Sequence, residues 1–240
     1  MDISSARPQK TRVQPELSIV IPALNAEAVL ARTLDAVGPS RPRPEREILV
    51  VDGGSSDETV AVARRHGARV IETAPGRGWQ LAEGARQALG GWLLFLHADT
   101  VLADGWSGAV SAYCAEPANR ERAATFRFAL DDGARAARRL EAVVAWRTRR
   151  LGLPYGDQGL LISRPFHDAL GGFRPLVLME DVDMVRRIGR RRLDALDVAA
   201  VTSAVRYRRS GYLRRSARNL ACLGLYFLGV PPRGIARLYR

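Results

Sequence analysis

Lysine is almost missing from this sequence. Of 37 basic residues in a chain of 240, only Lys10 is a lysine, and against 25 acidic residues the arginines leave a formal charge of +12. Such a bias follows genome composition as readily as function, so the charge alone assigns no partner. Cysteine is equally scarce. Cys114 and Cys222 stand far apart and outside any CxxC spacing, which excludes a disulfide framework and a thiolate zinc site and fits a reducing cytosol. Aromatic residues make up 7% of the chain and form no aromatic-basic motif, so nucleic acid is not an expected partner despite the charge. Apolar runs are short: the longest candidate, residues 220–230, holds two glycines and falls below the roughly 18 residues of a membrane span. The first fifteen residues (MDISSARPQKTRVQP) lack the apolar core of a signal peptide and read as a disordered leader. A dinucleotide-binding GxGxxG is missing as well. The first apolar run ends in PALNAEA, and the later Gly76-Arg77-Gly78 has Leu81 where a third glycine would stand.

What is present is a repeated grammar. Residues 17–25 (LSIVIPALN), 48–57 (ILVVDGGSSD) and 92–99 (WLLFLHAD) are apolar runs that end abruptly in polar groups. Each reads as a buried parallel strand delivering a functional group at its carboxyl end, where open α/β sheets bind ligands. Between them, Val29, Leu30, Thr33, Leu34 and Val37 share one face of a helix over 27–37, and a proline-rich link (Pro39, Pro42, Pro44) follows. Ser55 and Glu58 have capping-box spacing and predict a helix over 55–66, with a short strand at 68–72 and a helix over 78–89 after it. Right-handed crossovers and a parallel sheet are implied. The later half is less regular, with strands expected at 124–130 and 159–163 and helices over 134–150, 164–170 and 181–190. At 47% hydrophobic residues, the chain predicts one α/β domain over 16–203 and a basic, apolar helical extension over 204–240.

The strand ends carry the candidate chemistry. Pro22 cannot donate to a ladder, so the chain is expected to leave the sheet there and expose Ala23, Leu24 and Asn25 to a flat base. Asp52, with Gly53 and Gly54 after it, has room for close approach to a base N-H or a ribose hydroxyl, although an Asx-turn explains it too. Asp99 emerges from an apolar wall as an oxygen ligand, and one carboxylate with phosphate oxygens suffices for magnesium. Glu180, Asp181 and Asp183 open a helix, where acids are favoured in any case. A carboxylate of this cluster, enclosed by Leu178, Met179 and Val182, would have a raised pKa suited to a general base. The polar loop Asp157, Gln158, Gly159 reads as a contact for acceptor or donor sugar, or as a plain glycine turn.

With these residues in place, the chain resembles the family 2 inverting glycosyltransferases of the GT-A fold, a Rossmann-like, mainly parallel sheet flanked by helices. The resemblance rests on SIVIPALNAEAVLARTL, ILVVDGGSSDETVAVA, GRGWQLAEGA, WLLFLHADT and GGFRPLVLMEDVDMVRRI, and covers roughly residues 17–200. YGDQG, MEDVD and LGVPPRGIARLYR make it similar to a small bacterial subgroup labelled arsenosugar biosynthesis or carotenoid-type glycosyltransferases. The resemblance implies that Pro22, Ala23, Asn25, Glu27, Asp52, Gly53 and Ala98 line the nucleotide pocket and that Arg77 touches the diphosphate of a UDP-like donor. Asp99 matches the metal-binding last Asp of the DxD motif, while His97 stands where the first Asp would be. Asp181 matches the catalytic base, with Glu180 in support. A divalent cation (Mn or Mg), a nucleotide-sugar donor and a small-molecule or lipid acceptor are the implied partners. A cytoplasmic location is expected, with the arginine-rich stretch from residue 207 compatible with an anionic membrane surface at the inner face of the plasma membrane. A sugar nucleotidyltransferase would need a glycine- and arginine-rich phosphate loop after the first strand, which is lacking, and a basic nucleic-acid-binding protein is the other alternative.

Overall fold

A computed structural model describes residues 15–38 and 46–239. The expected leader, apart from Pro15, and the proline-rich link lie outside the described residues. Strands and helices alternate through the first half: β1 (Leu17–Ala23), α1 (Glu27–Val37), β2 (Arg46–Asp52), α2 (Thr59–Arg65), β3 (Arg69–Glu72), α3 (Arg77–Gln87) and β4 (Trp92–Phe95). These strands pair in parallel in the order β3-β2-β1-β4. β1 is buried at all seven positions because helices cover both faces of the sheet, which is why it reads as an unbroken apolar run. Strand order reverses at β1, with β2 and β3 on one side and β4 on the other, so a ligand crevice belongs outside the carboxyl ends of β1 and β4.

Pro22 does not end the first strand as its chemistry suggests. β1 continues through it to Ala23, paired with Asp52, and Pro22 is buried. The Val20 carbonyl accepts from Leu96 N, so two residues later Pro22 faces the same neighbour, whose pairing has stopped at Phe95. No ladder bond is asked of the missing N-H. The sheet opens between β1 and β4 at that point.

The later elements are β5 (Thr100–Leu102), α4 (Trp106–Ala115), β6 (Ala123–Leu130), α5 (Arg135–Leu151), β7 (Leu160–Ser163), α6 (Arg164–Ala169), α7 (Glu180–Ile188), β8 (Leu193–Thr202), α8 (Val205–Ser210), α9 (Tyr212–Phe227) and α10 (Pro232–Tyr239). β7 runs antiparallel between β4 and β6, β8 lies parallel to β6, and β5 closes the edge antiparallel to β8. The result is one eight-stranded mixed sheet in the order β3-β2-β1-β4-β7-β6-β8-β5. β5, α4 and β8 have no counterpart in the sequence-based expectation.

Alternate residues of β1 feed opposite layers, as the pleat requires. Ile19 and Ile21 pack with Leu30, Leu34, Trp106 and Val110 of α1 and α4. Val20 packs on the other face with Leu81 and Ala85 of α3 and with Met184 and Ile188 of α7. α3 lies so close that a Cβ at Gly84 would stand 2.4 Å from Val20 Cγ1. α9 and α10 turn their inner sides, Cys222, Leu223 and Ile235, onto Met179 and Val182 at the start of α7.

Candidate functional site

At the open end of β1 and β2, two loops are laced together. Asn25, at φ 49°, accepts from Ser56 N at 2.9 Å, and its own N-H donates to Ser55 Oγ at 2.9 Å. Ala26 N donates to Thr59 Oγ1, Glu27 N donates to Asp57, and Glu58 N donates to the Glu27 carboxylate at 2.9 Å. Burial acts to raise the Asp57 carboxyl, but hydrogen bonds from Thr59 and Glu27 outweigh it and hold the group below its ordinary value. The side chains of Asn25 and Glu27, expected to line a nucleotide pocket, are engaged in holding the two loops together.

Asp52 is 2% exposed, and its carboxylate accepts from Gly54 N, Ser55 N and Ser55 Oγ. It folds its own loop as an Asx-turn does. Ser55, whose hydroxyl is used by Asp52 and Asn25, does not cap α2, which starts at Thr59 instead. Gly53 lies against Gln80, whose amide donates at 2.7 Å to the carbonyls of both Ala23 and Val51. Gln80 ties α3 to both loop roots. Sequence reasoning passed over it because a glutamine inside a helix carries no local signal.

β4, β5 and α7 bring a second set of groups to one cleft of about 120 Å3. Arg77, His97, Asp99, Tyr155, Gly156, Asp157, Glu180 and Asp181 all line it, so the metal candidate, the base candidate and the diphosphate candidate face one another. Thr33 Oγ1 donates to the Ala98 carbonyl at 2.8 Å and Thr100 N to the His97 carbonyl, which fixes the turn that presents Asp99. Asp181 accepts from Gly156 N at 2.7 Å and from Val182 N at 2.8 Å. Gly156 is needed here because a Cβ would stand 2.5 Å from His97 Nε2 and 3.3 Å from Asp181.

The loop before β7 divides its labour. Gln158 is 2% exposed; it donates to the Phe126 carbonyl and accepts from Thr148. Gly159 has φ 63° and presses against Phe126 and the Phe95 carbonyl. Neither offers a side chain to a sugar, and both serve the scaffold. Of the three, Asp157 turns its side chain to the cleft, where its Oδ1 is buried with no hydrogen-bond partner among the described residues. Burial first, then the nearby Asp181 and Asp99 carboxylates, push its carboxyl up to about 6, against a lowering pull from Arg147 and Arg77. Burial also raises the Glu180 carboxyl, opposed by the Arg77 guanidinium at 3.5 Å. The raised carboxyl beside Met179 and Val182 is that of Glu180.

Among the described residues no group of three or more His, Cys, Asp or Glu side chains could hold a metal ion unaided. The donors nevertheless fit a divalent cation shared with a phosphate ligand: Asp99 is an open carboxylate, and the unpartnered Asp157 oxygen marks a pocket short of positive charge. A larger cavity of about 890 Å3 lies at the opposite, amino-terminal end of β1, β2 and β4, next to segments outside the described residues. Parallel strands do not present their functional loops there.

The glycosyl transferase family 2 model matches residues 18–170. A PGL/p-HBAD biosynthesis glycosyltransferase of Mycobacterium bovis is 40% identical over 95 residues, 37% of each chain. Glucosyl-3-phosphoglycerate synthase of Mycobacterium tuberculosis is 31% identical over 94 residues, covering 35% of this chain and 29% of that one. The match thus spans about a third of the length of these curated relatives. In three dimensions the chain is similar to a mannosyltransferase of Pyrobaculum calidifontis in complex with GDP-Man and Mn2+, with TM-score 0.65 and 21% identity over 87% of this chain and 61% of that one. It is also similar to the M. tuberculosis synthase in complex with Mn2+, UDP-Glc and phosphoglyceric acid, with TM-score 0.60 and 21% identity over 95% of this chain and 87% of that one. With the family model covering most of its length and the GT-A architecture in place, this chain belongs to glycosyl transferase family 2.

Proposed function

We propose that the chain moves a glycosyl group from a nucleoside-diphosphate sugar, UDP-linked, to an acceptor hydroxyl with inversion at the anomeric carbon. The carrying observation is that Arg77, His97, Asp99 and Asp181 converge on one cleft beside the laced loops at the β1 and β2 ends. In this reading the laced loops hold the base and Arg77 meets the diphosphate. Asp181, oriented by Gly156 N and Val182 N, takes the proton from the acceptor hydroxyl. The acceptor oxygen forms its bond to the anomeric carbon as the bond to the diphosphate oxygen breaks on the opposite face. A divalent cation held by Asp99 and the diphosphate would neutralise the leaving group's charge. Glu180 sets the position of Arg77 through their ion pair. The YGDQG and MEDVD segments favour the arsenosugar and carotenoid-type subgroup as the finer placement, with a small-molecule or lipid acceptor.

A screen of UDP- and GDP-sugars, reading nucleoside diphosphate release with and without Mn2+, tests the proposal. Asp181→Asn is expected to lower turnover by about 100-fold or more while donor affinity stays within about twofold, the loss typical of a missing general base. Asp99→Asn is expected to weaken Mn2+-dependent donor binding by about tenfold or more. Full activity in both variants would sink the mechanism.

A further inference from the structure

α9 has two unlike sides. Arg215, Asn219 and Leu223, four residues apart, line the catalytic cleft, and Cys222 is buried beside them. The opposite side carries Leu213, Ala217, Leu220, Ala221, Gly224 and Leu228, all exposed, with Leu213 at 88%, Leu220 at 67% and Leu228 at 82%. Seven-residue steps keep Leu213, Leu220 and Phe227 on one stripe of the helix. An apolar stripe bared along four turns is the kind of surface that marks an interaction site. α5, in contact with α9, also exposes apolar residues, Val143 and Trp146, with Arg139, Arg149 and Arg150 around them.

The charge carried by the C-terminal helices themselves has one sign. After Asp197 the sequence contains no Asp or Glu, and Arg208, Arg209, Arg214, Arg233 and Arg237 are exposed on α8, α9 and α10. No helix among the described residues is long and apolar enough to cross a membrane. An apolar helix face rimmed by an excess of arginines, with Asp131, Asp132 and Glu141 already paired to Arg208, Tyr212 and Arg138, complements the surface of an anionic bilayer, which accepts shallow apolar side chains and attracts cations. We propose that the outer side of α9, with α10 and the arginines of α5, docks the protein on an anionic lipid surface. Because the inner side of the same helix lines the cleft, docking would set the cleft beside the bilayer. That consequence rests on the proposed glycosyl transfer; docking itself does not.

The test is flotation of the full chain with phosphatidylcholine vesicles that contain or lack phosphatidylglycerol. The wild type should partition to the anionic vesicles at least about tenfold better, and added salt should weaken it. Leu213→Ser with Leu220→Ser and Leu228→Ser should cut that partitioning by about tenfold with an unchanged circular dichroism spectrum. Docking is overturned if the wild type stays free of anionic vesicles or if the triple variant binds them as well. It is also overturned if light scattering shows a dimer that the triple variant splits and no vesicle binding, since a second copy would then cover the stripe. Nucleoside diphosphate release measured without vesicles should be equal in wild type and triple variant. Its absence from both would count against the proposed function and leave the flotation result standing.

Discussion

Two aspartates at loop roots show how burial alone fails to define a role. Asp52 is buried and accepts from three donors of its own loop, so it stabilises backbone. Asp157 is half-buried, with one carboxylate oxygen enclosed and unpartnered among the described residues, and its carboxyl rises from 3.8 to about 6. The sign of the consequence follows directly. Between pH 4 and 6 the folded chain keeps a proton that the unfolded chain has released, so stability falls as pH rises through that window and the loss is complete above it. The shift corresponds to about 3 kcal/mol. Asp157→Asn should therefore flatten the difference in melting temperature between pH 4.5 and 7.5 in the presence of EDTA, and should be the more stable protein at pH 7.5. A variant whose stability tracks that of the wild type across the window would show that Asp157 is not strained. At this scale Asp99 and Asp181 were legible because each ends or follows an apolar run. Gln80, Ser55 and Thr59 were not, since their partners lie about 30 or more residues away in sequence.

At the scale of elements, α3 couples the two halves of the site. Its first residue, Arg77, reaches Glu180, and its second turn holds Gln80 on the β1 and β2 carbonyls. The helix can sit there only because Gly78 has no side chain: a Cβ would meet Leu176 N and O at 2.5 Å and the Arg174 carbonyl at 2.6 Å. Those are backbone atoms, which cannot turn aside as a side chain would. Gly78→Ala is expected to destabilise the fold by about 1–3 kcal/mol, the usual range for overpacking, and to raise KM for the donor by displacing Arg77. Thermal melts and steady-state kinetics report the two effects separately. The parallel half of the sheet was readable because β1, β2 and β4 are each a local apolar run. β8 was hidden because its residues alternate with Asp194 and Asp197, and its partners β6 and β5 lie about 70 and 100 residues away. α4 (WSGAVSAYCA) has glycine and serine where an amphipathic stripe would be looked for.

Across the whole molecule, the cleft is built from stretches far apart in sequence: Arg77 and the loop after β4, the loop of Tyr155, Gly156 and Asp157, the start of α7, the end of β8, and the C-terminal helices that cover it. Burial of Leu223 and Ile235 on Met179 and Val182 contributes about 2 kcal/mol for each side chain. A chain cut after Ser203 should thus lose about 4 kcal/mol or more of stability and have its cleft open on the side of Arg215 and Asn219. Denaturant unfolding of both lengths checks this; equal midpoints and slopes would show that α9 and α10 contribute nothing.

The lacing of the loops after β1 and β2 bears on any attempt to change the donor that the proposed function assigns. Asn25, Ala26 and Glu27 on one strand exit and Ser55, Ser56, Asp57, Glu58 and Thr59 on the other hold each other by reciprocal hydrogen bonds. Transplanting either loop alone from a relative would strand half of those partners. On the proposed function, a change of donor preference would accordingly take both loops as a matched pair, grafted together or not at all.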